Sequence, residues 1–91
     1  MPDHETIAVY VLLAETLVES SPYDAQGALV LLRSMEEAFS GLITNVFNKA
    51  LHLNALAGFG DDDVARGDAR WALIRVIAHL ERLLAQAEGS F

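Results

Sequence analysis

The sequence predicts an all-α fold, a three-helix antiparallel bundle with a long second helix, completed by dimerisation. Apolar residues recur at three- and four-residue steps, which is helix periodicity, and no segment shows the alternation of a strand. Two strong breaks, Ser21-Pro22 and Gly58-Phe59-Gly60, divide the chain into three pieces.

The first helix is expected from His4 to Ser20, because Pro22 cannot continue an interior helical ladder. Ile7, Tyr10, Val11, Ala14, Leu17 and Val18 make its apolar face, and Glu5, Glu15, Thr16, Glu19 and Ser20 the polar one. Ala8, Val9 and Leu12 interrupt the polar face, and a helix apolar nearly all round is covered on more than one side.

Ser21 is the expected N-cap of the second helix, with Pro22 in its first position and Asp24 completing a capping-box-like Ser-x-x-Asp. Its stripe is Ala28, Leu32, Met35, Phe39, Leu42, Val46, Ala50, Leu53 and Ala57. The stripe stays in phase, which predicts one helix of about 34 residues, roughly 50 Å long. Ser40-Gly41 is where it would bend, but Gly41 falls on the polar side and no break is required.

Glycines free to adopt left-handed geometry stop this helix at Gly58-Phe59-Gly60. Asp61-Asp62-Asp63 then offers an N-cap and first-turn negative charge for a third helix from about Asp62 to Ala87, with Gly67 delaying its regular part to Asp68. Its core stripe is Ala69, Leu73, Val76, Ile77, Leu80, Leu83, Leu84 and Ala87.

The 91 residues are read as a single helical domain, 1–91. A domain this small needs help from a disulfide, a metal or a second subunit. The sequence contains no cysteine, and 53% of it is hydrophobic, so a second subunit is the expected help. The longest apolar run, Ile7 to Ala14, is eight residues, against roughly 20 for a membrane span. Asp3 and Glu5 precede that run where a secretory leader would be basic, so a cytoplasmic location and no membrane contact are expected.

The net charge of −7 is uneven: −6 lies between Met1 and Asn48 and −1 beyond. An acidic first half disfavours nucleic acid and suits another protein with a basic surface. Short turns would leave helix one covering helix two only to about Ser40, so the half from Leu42 to Ala57 would have one neighbour. Leu42, Ile43, Val46, Phe47, Leu51 and Leu53 are therefore the expected self-association surface of a twofold homodimer. The expected partner-binding residues are the acidic helix one with Leu12, Glu15 and Glu19, or the flank of Trp71, Arg75 and Arg82, where Arg75 is spaced to lie over the Trp71 ring.

Catalytic and cofactor chemistry are not expected. His52 and His79 should lie on the order of 16 Å apart along the bundle, too far to share a metal. Asp61-Asp62-Asp63 lacks the central glycine and closing glutamate of a calcium loop, because Arg66 and Ala72 occupy those positions. Glu36 and Glu37 point about 100° apart, and no nucleophile elbow or phosphate loop is present. The expected function is a small homodimeric regulatory adaptor or inhibitor that binds and sequesters another protein. The alternative is a helical bundle binding a small anion or nucleotide between chains, with His79, Arg75 and Arg82 converging on it.

Overall fold

A computed structural model describes residues 3–39 and 44–88, with the side chains of residues 87 and 88 excepted. The described residues form α1 (His4–Glu19), α2 (Ala25–Ala38), α3 (Asn45–Ala57) and α4 (Asp63–Glu88). Each start has a side-chain cap that satisfies an otherwise orphaned N–H. Asp3 accepts from the Glu5 N–H at 3.4 Å, Asp24 from Gly27 at 2.9 Å, Thr44 from Phe47 at 3.2 Å and Asp62 from Val64 at 2.9 Å.

The long second helix does not exist. Phe39 (φ −130°, ψ 51°) and Thr44 (φ −125°, ψ 171°) both leave helical geometry, and Thr44 caps a new helix. α2 and α3 run antiparallel to each other. The Gln26 side chain near the start of α2 donates to the Gly58 carbonyl at the end of α3, at 2.9 Å. A β-branched capping residue following Ser40-Gly41, two poor helix formers, outweighs the apolar phase that argued for continuity. Ala50 and Ala57 of the expected stripe are buried, but its other two positions move by one residue: α3 buries Phe47 and Asn54, leaving Val46 and Leu53 half-buried on its flank.

Three smaller expectations also change. The N-cap of α2 is Asp24, and Ser21-Pro22, a cis peptide, stays in the preceding turn. Gly58 is right-handed (φ −70°, ψ −16°), and no described glycine has positive φ. Its use is room: a Cβ there would sit 3.3 Å from Cγ of Gln26. Gly67 lies inside α4, which begins at Asp63.

The four helices run up, down, up, down around a ring. α3 meets α4 antiparallel, with Asn54 bonded to the Ala69 carbonyl near one end and Phe47 beside Val76 and Leu80 near the other. α1 packs mainly on α4, and only thinly on α2. The molecule measures 47 × 22 × 16 Å, and its longest helix is the 26-residue α4, about 39 Å long. The core holds Leu32, Met35, Leu73 and Val76 at its centre, with small Ala14, Ala28, Ala50 and Ala69 letting the helices approach. Of the expected α4 stripe, Leu83 and Leu84 are half-buried, and the side chain of Ala87 lies outside the described residues.

This architecture overturns the coverage expected for the second half of the chain. α3 has two neighbours, α2 and α4, because α2 and α3 are separate, antiparallel helices. The thinly closed seam of the ring is α1–α2.

Candidate functional site

Two apolar grooves open on the surface, on different seams. The first lies between α1 and α2 and is a broad trough of about 820 Å³. Val9 and Leu13 on α1 and Val30 on α2 are exposed on its walls, Val30 by 70%. Its floor is tied by Tyr10, whose hydroxyl is 2.6 Å from Ser34 Oγ and whose ring meets Phe39 edge-on at 5.0 Å between centroids. The charged residues lining it are Asp3 and Glu5.

The second groove, about 300 Å³, lies between α3 and α4. Val46 and Leu53 come from α3, and Trp71, 63% exposed, comes from α4. Lys49, Asp68 and Arg75 line it too, so both charge signs are present. This groove unites residues that the sequence assigned to two different surfaces.

The remaining members of the expected self-association set disperse. Phe47 is only 7% exposed and belongs to the core. Leu51 is half-buried beside α2, in a crevice with Leu29, Arg33 and His52. Leu42 and Ile43 lie outside the described residues. Helical geometry explains the split: Val46 and Leu53, seven apart, share a face, whereas Phe47 and Leu51 turn progressively away from it.

Of the expected partner-binding residues, Leu12 is 66% exposed, and Glu15, Glu19, Arg75 and Arg82 are exposed. Arg82 Nε donates to the Ala78 carbonyl at 3.4 Å. The cation–π contact present is not Trp71–Arg75 but Arg70 over the Tyr23 ring, 5.3 Å from its centroid. His79 is half-buried against Met35 and Phe39, away from the crevice that His52 lines. Among the described residues, no three His, Asp or Glu side chains lie close enough to share a metal ion. Among them, too, no helix is long and apolar enough to cross a membrane.

Sequence reasoning missed the buried polar knot behind the second groove. Asn54, fully buried, accepts from the Tyr23 hydroxyl at 2.5 Å and donates to the carbonyls of Ala50 (2.8 Å) and Ala69 (3.3 Å). Arg70 reaches back to the Ser20 carbonyl at 2.8 Å, pinning the α1–α2 turn to α4. Burial pushes the Tyr23 phenol up to about 12, against the pull of the nearby Arg70 charge. The available signal was Asn54 in phase with Ala50 and Ala57, a polar residue where the periodicity demands an apolar one. For the first groove, the signal was Val9 and Leu12 on a face that should have been polar.

The fold and its two grooves define an all-helical protein with apolar surface left open on two seams. No protein-family model matches the chain, and no curated protein or solved structure is significantly similar to it.

Proposed function

We propose that this protein is a non-enzymatic interaction module, a small regulatory adaptor or inhibitor, which pairs with itself through the α3–α4 groove and binds another protein elsewhere. The observation that carries the reading is Trp71, 63% exposed in a groove with Val46 and Leu53. A large aromatic presented to water beside aliphatic side chains is the residue type that anchors interfaces. The charges around it favour a second copy as the occupant. Asp68 and Arg75 flank Trp71 on the same side of α4, three residues before it and four after. Antiparallel pairing of two α4 helices about Trp71 sets Asp68 of one copy opposite Arg75 of the other, and the reverse, as twofold symmetry requires.

Light scattering over a concentration series tests this. The expected result is a dimer for the natural chain and a monomer for Trp71→Asp, with unchanged helix content by circular dichroism because Trp71 is outside the core. A natural chain that stays monomeric throughout, or a Trp71→Asp dimer of undiminished affinity, overturns the self-pairing.

A further inference from the structure

We propose that the α1–α2 trough seats a basic amphipathic helix of another protein. This deepens the interaction-module reading and rests on it; it does not depend on self-pairing at the other groove.

The trough is the place where the bundle's own ring is least closed. Apart from the Tyr10 contacts at its floor, its walls present aliphatic side chains to water: Val9, Leu13 and Val30 all line it and are exposed. Leu12, next to Leu13 on α1, is exposed as well. From Glu5 to Leu17 the α1 wall runs about 18 Å, a little over three helical turns. That length receives apolar side chains spaced i, i+4, i+7 along one incoming helix, the helix-in-groove mode of recognition. In effect the trough invites a fifth helix to finish the seam.

Charge selects among possible occupants. Asp3 and Glu5 line the trough, and among the described residues no basic side chain joins them there. Glu37 lies two turns beyond Val30 on the same side of α2, and Glu19 lies seven residues beyond Leu12 on α1, so further carboxylates continue the rim. Arg33, one turn from Val30, lines the neighbouring crevice with Leu51 and His52 and not the trough. A second copy of a chain with net charge −7 would bring like charge to this rim. An anionic bilayer surface is repelled for the same reason. An apolar stripe flanked by Lys and Arg matches both the walls and the rim.

The test uses a synthetic helical peptide of roughly 18 residues with a leucine stripe and lysine flanks, titrated by fluorescence anisotropy, and a twin with glutamate in place of lysine. Amide chemical-shift changes locate the site. The lysine peptide is expected to bind about tenfold or more tightly than its twin, to lose affinity as salt rises, and to shift the amides around Val9, Leu13 and Val30. Val30→Asp separates seated binding from bulk attraction. Added negative charge strengthens a purely coulombic association, whereas a helix seated on Val30 loses about tenfold or more. Val30 is exposed, so this variant keeps its fold, which an unchanged melting temperature verifies; Leu13→Ser is the second variant, expected to weaken binding in the same direction.

Binding that strengthens in Val30→Asp overturns the proposal. So do shifts centred on Trp71, a peptide with no lysine preference, or a natural dimer that Val30→Asp dissolves, which would give the trough to a second copy. Failure of the peptide while Trp71→Asp still dissolves the dimer would remove this inference and leave the self-pairing intact.

Discussion

The α1–α2 and α3–α4 seams are both walled by aliphatic side chains, yet they differ in what lies behind and around them. Behind α3–α4 is the bonded knot of Asn54, Tyr23 and the Ala50 and Ala69 carbonyls. Across α1–α2 the polar tie is the exposed Tyr10–Ser34 contact. Around α3–α4 the charges are mixed; along α1–α2 they are acidic. Apolar area is common to both seams. The two proposed roles, self-pairing and binding of a different partner, therefore rest on the sign of the rim and on how firmly the bundle has closed the seam underneath.

The largest expected effect removes the ground common to both seams. Leu73, fully buried on α4 against which both α1 and α3 pack, should cost about 3 kcal/mol as Leu73→Ala. Urea unfolding measures it, and a loss below about 1 kcal/mol would mean that α4 is not the shared spine.

Next, Trp71→Ala should weaken self-association by about 2 kcal/mol, near thirtyfold, while Val30→Ala leaves it unchanged. Sedimentation equilibrium on both variants reads the contrast. Equal effects would erase the distinction between the seams.

Tyr23→Phe probes the knot. It leaves the buried Asn54 carbonyl oxygen without its donor, at about 1–2 kcal/mol. The pH dependence has a definite sign. The phenol ionises near its ordinary value of 10.0 in the unfolded chain but at about 12 in the folded one. Its contribution to stability is thus complete below pH 10 and lost as pH rises from 10 towards 12. Thermal melts across that window should fall more steeply for the natural chain than for Tyr23→Phe.

The smallest effects are a matched pair. Asp24→Ala removes the cap of α2, a wall of the first groove, and Thr44→Ala the cap of α3, a wall of the second. Each should cost about 1 kcal/mol. Hydrogen exchange should show faster opening confined to the first turn of the helix that lost its cap.

Helix type and most of the core were readable because the apolar period is unambiguous over α1 and α4: Ile7, Val11 and Ala14, and Ala69, Leu73, Val76, Ile77 and Leu80, are buried as their spacing requires. The antiparallel pairing of α2 and α3 was not readable, because apolar phase persists across Ser40 to Thr44 and phase carries no information about reversal. Only local chemistry marks it, a serine-glycine pair followed by a capping threonine. That single event moved the open seam from the second half of the chain to α1–α2, and it turned Phe47 inward and Val46 outward. Trp71, Arg75 and Leu12 were legible as surface candidates from residue type and phase, whereas the grouping of Trp71 and Arg75 with Val46 and Leu53 in one groove needed the helix order around the ring.

Asn54 has a consequence beyond holding three elements together. Its bonds to the Tyr23 hydroxyl and the Ala69 carbonyl have direction, so α3 cannot roll about its own axis without breaking them, as a helix seated on methyl groups alone could. The flank carrying Val46 and Leu53 is thereby presented at one rotational setting. A surface fixed before association surrenders little conformational freedom when it is covered, and that saving goes directly into affinity. Under the proposed self-pairing, a single buried amide behind the groove would in this way help set how tightly two copies hold each other.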